Sequence, residues 1–430
     1  MTQISLWRSV TPTGESHPPL EEAIHADAVV VGAGFTGLST AWHLAGKGLS
    51  VVLLEGVDIG HGASGRNNGQ VIPVMTRAEP DYLIERFGQT GERFVDLVGG
   101  SARYLFDLVR EEELDCEAEQ TGWIQPAHSP GRVEAISANR YRQWQSVSDD
   151  IELLDKAACE RLTGSPFFHG GFMNKTGGHI NPLALARELG RIASQQGVQI
   201  FENSPALRYE QTADGWRVET EKGSVTAGAM VLATNAYSGQ IRSGFAPRLA
   251  RSVVPVLSWQ MATQPLSDNI RKSVIPERHA VSDTQGDLHF FRYDARNRLV
   301  TGGALVLPFN REHRVKARII KRLQKVFPQF TDPKIENIWT GHISITQDHT
   351  PHFHKLGPNG WAWIGCNGRG VALSVSMGRA FAEAIMEPDE KDLPFPVTNI
   401  ESVPFQRLAS KIAPPFALSY YRWRDQREVG

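Results

Sequence analysis

A short apolar strand followed by a glycine-rich turn is the feature that most constrains this chain. The strand Val29–Val31 leads into Gly32, Gly34 and Gly37, which have the spacing G-x-G-x-x-G. At this spacing the first glycine forms a tight turn, the second lets the backbone approach a pyrophosphate, and the third lets the helix lie close to the sheet. The helix that begins near Phe35 would direct free N–H groups and a partial positive charge towards the phosphates.

An acidic residue at the end of the next strand supports a dinucleotide ligand. Val51–Leu54 forms a second apolar strand, and Glu55 follows it, 23 residues after Gly32. A carboxylate at this distance can accept hydrogen bonds from a ribose 2′-hydroxyl and would repel a phosphate there, which disfavours NADP. The pattern predicts a dinucleotide-binding βαβ unit. Phe35 and Thr36, at the start of its helix, are expected to bind the dinucleotide together with the three glycines. A βαβ unit without a ligand is the alternative.

The segment after Glu55 distinguishes between dinucleotides better than the glycine motif does. Gly60–Gln70 is rich in glycine, small hydroxyl and amide residues and contains one arginine. Such a stretch can wrap a polar ligand with backbone N–H groups and short side chains. An NAD dehydrogenase would normally run from the acid into a helix, and an ordinary surface loop is the alternative. The residues expected to bind a cofactor here are Ala63, Ser64, Gly65, Arg66, Asn67, Asn68, Gly69 and Gln70.

These motifs together resemble the FAD-dependent D-amino-acid oxidase (DAO) family. The glycine motif, Glu55 and Gly62–Asn67 are similar to that family, and in particular to its amine-oxidising bacterial members, the gamma-glutamylputrescine oxidoreductases and L-pipecolate oxidases. The resemblance continues through Val231–Ala236, Trp339–Gly341 and Gly365–Val371, and it spans about residues 25–390. It implies FAD as the cofactor. The further candidate cofactor-binding residues are Ala206, Thr234, Asn235, Ala236, Gly368, Arg369, Gly370 and Val371.

The resemblance also implies the fold class. It is α/β (α+β), with a discontinuous Rossmann-type FAD-binding domain of the glutathione-reductase-like kind and a mixed-sheet substrate domain. The first insertion reads as mainly helical in its first half, and the second as alternating strands. Trp7 is expected to pack on the body of the protein. The expected parts are an extended N-terminal arm (1–25), the FAD-binding domain (26–84, 176–245 and 338–390), the substrate domain (85–175 and 246–337) and a C-terminal tail (391–430).

Composition excludes several classes of partner. Lysine and arginine number 45 against 47 aspartate and glutamate, so a net charge of −2 provides no global basic field for nucleic acid. The three cysteines, Cys116, Cys159 and Cys366, show neither metal-ligand spacing nor a disulfide framework, which predicts a reducing, cytoplasmic location. No apolar run is long enough to suggest a transmembrane segment.

A domain that binds FAD in this way would support oxidation of a carbon–nitrogen bond. Flavin accepts a hydride at N5, so the protein has to hold the ring and present a C–H bond beside a nitrogen. Gly368–Val371 would place a helix N-terminus and Arg369 near the negative charge that develops at N1–C2=O. FAD is expected to be non-covalent, because Gly341 stands where the resemblance places the flavin-attaching cysteine of sarcosine oxidases. The expected substrate is a small amine or amino acid, which becomes an imine.

Other functions stay open at this point. The chain could be an FAD-dependent dehydrogenase of a hydroxy acid, or a non-catalytic dinucleotide-binding protein, since the fold alone does not decide. The electron acceptor is also open. Sarcosine oxidases use a lysine to promote the reaction with oxygen, and Val300 stands near that position. The acceptor is therefore expected to be oxygen or an electron carrier, such as a quinone or a carrier protein.

Two side chains are candidates for the substrate side. His342 lies next to the expected flavin position, and an unperturbed pKa near 6.5 would suit it to help deprotonate an ammonium substrate. Arg292, beside Phe291 in a predicted strand, could face the pocket, and an exposed strand arginine is the alternative. No metal site is expected, because the spacing of His342, His349, His352 and His354 matches no standard zinc pattern.

The C-terminal tail mixes aromatic and basic side chains over Tyr420–Arg424. Such a segment could contact a membrane surface or a partner. Packing on its own domain is the favoured interpretation.

Overall fold

The computed structural model describes residues 4–148, 150–239, 244–287, 289–303, 310–387 and 390–429. These residues form two eight-stranded sheets, a two-stranded sheet and the helices that cover them. The strands are β1 (Ala23–Val31), β2 (Val51–Leu54), β3 (Gln70–Val71), β4 (Trp123–Pro126), β5 (Ile151–Leu154), β6 (Gly171–Asn174), β7 (Gly178–His179), β8 (Gln199–Phe201), β9 (Arg208–Thr212), β10 (Gly215–Glu219), β11 (Ser224–Leu232), β12 (Val254–Thr263), β13 (Ala280–Ser282), β14 (Phe290–Tyr293), β15 (Leu299–Gly303), β16 (Ile335–Ile345), β17 (His352–Gly357) and β18 (Gly360–Ile364). The α-helices are α1 (Leu6–Val10), α2 (Phe35–Gly46), α3 (Pro80–Phe87), α4 (Gln89–Glu111), α5 (Pro130–Ala135), α6 (Arg142–Trp144), α7 (Lys156–Thr163), α8 (Pro182–Gln195), α9 (Pro247–Arg251), α10 (Asp268–Ser273), α11 (Arg311–Val326), α12 (Val371–Met386) and α13 (Gln406–Val429).

The first sheet is largely parallel and carries the glycine motif. Its strand order is β17-β18-β11-β1-β2-β8, and β10 pairs with both β11 and β9. β1 pairs in parallel with β11 and with β2, and its last four residues are buried. A parallel strand covered on both faces needs such a continuous apolar run. Helix α2, which follows the glycine turn, packs against α8 and α12.

Three separate parts of the chain supply the first sheet. They are the segment with β1 and β2, the segment with β8 to β11, and the segment with β17 and β18. Strand β16 belongs to the second sheet instead, so the expected domain boundary at residue 338 falls inside a strand of that sheet. The domain boundaries themselves stay a prediction.

The second sheet is mixed, in the order β16-β12-β15-β14-β13-β4-β6-β5. Its longest pairing joins β12 and β16 in antiparallel register along almost their whole length. Helix α11 packs its apolar face on β15 and β16, and Ile319 and Leu323 lie in the same core as Met261 and Phe291. The second insertion does alternate as strands, with β12 and β14 where the sequence indicates them, although Leu288 lies outside the described residues.

The N-terminal arm differs from the expected extended segment. It contains the short helix α1, because the Ser5 hydroxyl accepts a hydrogen bond from the Arg8 backbone N–H and caps the first turn. The Trp7 side chain is fully buried, its Nε1 donates to the Asn67 carbonyl at 2.8 Å, and its ring meets that of Trp339 edge-on at 5.9 Å. The arm is therefore folded onto the body of the protein and anchored by one tryptophan.

The C-terminal tail contains the long helix α13, which contacts both insertions. Asp425 of α13 accepts a hydrogen bond from the Gly286 N–H at 2.8 Å, and Arg132 donates to Glu428 at 2.7 Å and 2.8 Å. The interpretation that the tail packs on its own chain is therefore right. Within the described ranges, no helix has the length and apolar character needed to cross a membrane.

Replacing Trp7 with alanine should destabilise the whole protein. The substitution removes a buried indole, its hydrogen bond and its contact with Trp339, and we expect the free energy of unfolding to fall by about 3–5 kcal/mol. Thermal or urea unfolding measures the change. Ile4→Ala, at a side chain that is 71% exposed, is the matched control and should change little. Equal stability of the two variants would contradict the proposed anchor.

Candidate active site

A cavity between the two sheets brings together most of the predicted cofactor-binding residues. Including its open mouth, it encloses about 1620 Å³ of empty space. His342 also lines this cavity, on the side formed by the second sheet. The predicted cofactor-binding residues that line it are Gly32, Gly34, Phe35, Thr36, Glu55, Ala63, Ser64, Arg66, Asn67, Asn68, Gln70, Ala206, Thr234, Asn235, Gly368, Arg369, Gly370 and Val371.

Four of the predicted residues lie behind the cavity wall rather than on it. A Cβ on Gly37 would lie 1.9 Å from the Gly32 carbonyl oxygen, and a Cβ on Gly65 would lie 2.2 Å from that of Gly60. These two glycines are required because backbone segments touch at these points. They support the cavity wall but do not line it. The four residues are Gly37, Gly65, Gly69 and Ala236.

The glycine turn forms one end of the cavity. Gly32 has φ +107°, a conformation that residues with a side chain rarely adopt. A Cβ on Gly34 would lie 2.9 Å from the Ser64 hydroxyl oxygen, so the absence of a side chain lets Ser64 approach the turn this closely. Gly34 provides no side-chain cap for α2, and the Ser64 hydroxyl accepts from the Phe35 N–H at 3.0 Å. The other N–H groups of the first turn are available to phosphate oxygens.

Glu55 is held rigidly at the end of β2. Its carboxylate oxygens accept hydrogen bonds from the Ala33 N–H at 2.8 Å and from the Val57 N–H at 3.0 Å. Burial raises the pKa of Glu55, while the two backbone donors act in the opposite direction. The side chain is therefore fixed in place on the cavity wall, where it can accept further hydrogen bonds from hydroxyl groups.

Arg292 does not face the cavity, which corrects the expectation from the strand pattern. The side chain is buried, and its guanidinium donates to the Asn68 carbonyl at 2.6 Å, the Tyr293 carbonyl at 2.7 Å and the Ile180 carbonyl at 2.9 Å. It also lies 4.4 Å from the centre of the Trp7 ring. Burial lowers its pKa to about 10, so it stays charged at neutral pH. Arg292 therefore supports the Gly60–Gln70 loop from the side away from the cavity. It neither lines the cavity nor lies on the protein surface.

A buried cation with unused donor capacity lies at the N-terminus of α12. Arg369 is 5% exposed and lines the cavity, and its Nη1 has no hydrogen-bond partner among the residues the structure describes. Its guanidinium lies 4.7 Å from the centre of the Trp123 ring. Burial, with a smaller contribution from Arg140, lowers its pKa to about 9. A ligand that places an acceptor or a developing negative charge here would give a partner to the Arg369 guanidinium and to the backbone N–H groups at the uncapped N-terminus of α12.

His342 and Tyr237 form a pair on the cavity wall. The His342 backbone N–H donates to the Tyr237 hydroxyl oxygen at 3.4 Å, and their rings meet edge-on at 5.7 Å. Burial, and after it the charge of Arg66, lowers the pKa of His342, so its imidazole is neutral at pH 7. Burial raises the pKa of Tyr237. The sequence did not single out Tyr237, although it directly follows the predicted Ala236.

Gln260 is a second site residue that sequence reasoning missed. It lies on β12, is 5% exposed, and donates from Nε2 to the Ser258 hydroxyl at 3.0 Å. Its Oε1 has no hydrogen-bond partner in the described part of the chain, and both side chains line the cavity. A buried acceptor without a partner costs free energy, so the site is arranged for a ligand donor. One glutamine in an apolar strand carries no sequence signal for such a role.

His352 and His354 do not lie beside His342 on the cavity wall. His352 contacts Asp348 at 3.0 Å, and His354 contacts the Thr398 carbonyl at 2.9 Å. Within the described residues, the side chains close enough to share a metal ion lie elsewhere, and their carboxylates already accept from arginines or a backbone N–H. These three residues are His128, Asp425 and Glu428.

Replacing Gly34 with valine should release the cofactor without unfolding the protein. The new side chain would press on Ser64 and occupy the space in which the backbone meets a pyrophosphate. We expect the dissociation constant for FAD to rise at least about tenfold, which corresponds to 1.4 kcal/mol. Flavin absorbance per protein after gel filtration measures it. Gly100→Ala, where the new Cβ meets nothing within 4 Å, is the control. Normal flavin content in Gly34→Val would contradict this assignment.

Comparison with known proteins adds independent information. Residues 27–384 match the family model of the DAO family, described as FAD dependent oxidoreductase. A probable oxidoreductase OrdL from Haemophilus influenzae is 32% identical over 95% of this chain and 94% of the relative. The gamma-glutamylputrescine oxidoreductase of Escherichia coli is 30% identical over 95% of each chain. The crystal structure of L-proline dehydrogenase from P. horikoshii superposes with a TM-score of 0.72 at 17% identity, covering 87% of this chain and 96% of that one, which confirms the expected fold class.

Proposed function

Because the chain belongs to the DAO family of FAD-dependent oxidoreductases, we propose that it oxidises the carbon–nitrogen bond of a small amine or amino acid to an imine. One observation carries the proposal: the segments of the FAD motif and the polar face of the second sheet border the same cavity. FAD, when bound, supplies the redox chemistry by accepting a hydride at N5. The name of the gamma-glutamylputrescine oxidoreductase supports an amine as the substrate.

The donors and acceptors along the cavity fit FAD along its length. Glu55 offers fixed acceptors for ribose hydroxyls, and Gly34 and the first turn of α2 offer N–H groups for the pyrophosphate. At the other end, the unpaired Nη1 of Arg369 and the uncapped α12 would stabilise negative charge on the pyrimidine side of the ring. We propose non-covalent attachment, since Gly341, which the resemblance places at the position of the flavin-attaching cysteine of sarcosine oxidases, lies on the cavity wall.

The substrate nitrogen is proposed to lie on the side of the cavity formed by the second sheet. The Oε1 of Gln260 can accept a hydrogen bond from an amine N–H, which would satisfy an acceptor that is otherwise unpaired. Neutral His342 can accept a proton from an ammonium substrate, and burial together with the charge of Arg66 keeps the imidazole unprotonated beforehand. Deprotonation is needed because only a neutral amine has a lone pair that assists loss of the hydride.

The electron acceptor is proposed to be oxygen or an electron carrier. Val300 is fully buried, pairs with Ala262 and Arg292 across β15, and does not line the cavity. No lysine is therefore supplied from this position.

Anaerobic addition of substrates to the purified yellow protein tests the function. We expect an amine or amino acid to bleach the flavin absorbance, and hydroxy acids to leave it unchanged. Dithionite serves as the control that the flavin is reducible. Bleaching by a hydroxy acid alone would replace the amine proposal with the hydroxy-acid alternative. On admission of air, rapid recovery of the colour identifies an oxidase and persistent bleaching identifies a dehydrogenase.

His342→Ala should lower turnover by about a hundredfold at pH 7, the usual size of a general-base contribution, with flavin content unchanged. The defect should shrink as the pH approaches about 10, where a growing fraction of the amine is already neutral. Steady-state kcat across pH measures both effects. His313→Ala, at an exposed position of α11, is the matched control. A loss that is constant across pH would show that His342 only shapes the pocket.

A further inference from the structure

A second cavity is lined by α11, by α13 and by the chain between β13 and β14. Including its open mouth, it encloses about 1190 Å³ of empty space, and it shares no lining residue with the cavity proposed to hold FAD. Cationic side chains from the two helices dominate its lining. These cations are Arg318, Lys321, Arg322, Lys325 and Arg422. We call this space the basic cavity.

Three guanidinium groups in the basic cavity converge on one carboxylate oxygen. The Oδ2 atom of Asp287 accepts hydrogen bonds from Arg318 at 2.6 Å and from Arg322 at 3.1 Å. It accepts further hydrogen bonds from Arg422 at 3.2 Å. Burial acts to raise the pKa of Asp287, but the three guanidinium charges hold it below its ordinary value, so the carboxylate is ionised. One negative charge therefore opposes three positive charges at this point.

The other acidic groups nearby do not cancel this excess. Asp425 also lines the basic cavity, but it is paired at 2.7 Å with Arg424, which does not line it. Asp283 is fully buried and contacts His289 at 3.2 Å. Burial lowers the pKa of His289, so this ring adds no charge at neutral pH. The five cations are opposed by two carboxylates, those of Asp287 and Asp283, which leaves an excess of three positive charges.

Two lysines extend the positive charge to the protein surface. Lys321 and Lys325 are exposed and lie one turn apart on α11. The ε-ammonium of Lys325 lies 5.0 Å from the centre of the ring of Phe167, which also lines the basic cavity. Among the residues that the structure describes, no carboxylate forms an ion pair with either lysine. Both charges are therefore available to an anion that enters from solvent.

We propose that the basic cavity binds a phosphate group, either as inorganic phosphate or as the phosphate of a small organic molecule. At pH 7 a phosphate monoester carries a charge of about −1.5 to −2 and offers three acceptor oxygens. Arginine binds phosphate oxygens with two parallel N–H groups, and here the guanidiniums come from two different helices. Donors that approach from different directions suit a tetrahedral group better than a planar carboxylate.

Asp287 explains how the site persists before the anion arrives. Its single oxygen holds Arg318 and Arg322 of α11 beside Arg422 of α13. Burial, together with the charges of Arg422 and Arg322, lowers the pKa of Arg318 to about 10, as expected for guanidiniums that repel one another. Phosphate bound beside them would relieve this repulsion and would bridge α11 to α13.

Isothermal titration calorimetry of the FAD-loaded protein tests the proposal at constant ionic strength. FAD fills the first cavity, so its pyrophosphate position does not contribute. We expect inorganic phosphate to bind one site with a dissociation constant of about 1 mM or lower, and acetate to give no saturable heat. Phenyl phosphate separates the two sources, because its ring can pack on Phe167. Tighter binding of phenyl phosphate would assign the site to an organic phosphate, and equal binding to inorganic phosphate.

A double variant tests whether phosphate binds in the basic cavity. Lys321→Gln/Lys325→Gln should weaken phosphate binding at least about tenfold, because it removes two exposed cations and leaves the arginines and the fold in place. Lys272→Gln/Lys316→Gln is the matched control. It removes the same charge at positions that do not line the basic cavity, and it should bind phosphate normally.

The outcomes separate a built site from general attraction of anions. Absence of saturable phosphate binding would overturn the proposal, as would equal affinity of the parent protein and Lys321→Gln/Lys325→Gln. Acetate binding as tightly as phosphate would indicate an adventitious ion only and would also overturn it. A melting temperature that phosphate raises in the parent but not in this variant would support it, because a ligand of the folded state stabilises that state. None of these readouts depends on amine oxidation.

Discussion

A buried guanidinium is the interaction on which the site depends. Arg292 extends from β14 of the second sheet. Its guanidinium donates hydrogen bonds to the backbone carbonyls of Asn68, in the Gly60–Gln70 loop, and of Ile180, just before α8, and it stacks on the ring of Trp7 in α1. A buried charge is costly unless its donors are satisfied, and here three backbone carbonyls accept hydrogen bonds from the guanidinium. Four segments that are distant in sequence are thereby held in one arrangement behind the part of the cavity wall that Asn68 lines.

The cavity itself is polarised in advance of any ligand. Glu55 is fixed at one end by backbone N–H groups, and Arg369 is buried at another position on the wall with an unused donor. Unsatisfied buried polar atoms are rare in folded proteins because each costs free energy. At Arg369 and Gln260 that cost is offset when a ligand supplies the missing partner, which is how a binding site can be pre-organised.

Glycines make the dense packing around this cavity possible. Gly37 lies so close to Gly32 that no side chain fits, and the approach of Gly65 to Gly60 is also too close for one. The motif therefore serves two purposes that the sequence pattern does not separate. Gly32 and Gly34 border the ligand space, while Gly37 and Gly65 only bring backbone segments together. The same residue type performs both functions because each requires the space that a Cβ would fill.

The sequence by itself determined a dinucleotide-binding βαβ unit, because local patterns specify the strand, the glycine turn, the helix and the acid at Glu55 within one contiguous stretch. FAD and the fold class followed from the resemblance of several such motifs, in order, to the DAO family. Tertiary structure decided what depends on contacts between distant segments. Strand alternation could not show that Arg292 turns away from the cavity, since a bulky neighbour at Trp7 and the loop carbonyls determine its direction. Nor could it show that Tyr237 and Gln260 meet at the site. Their positions follow from the packing of two sheets, and no local pattern encodes that packing.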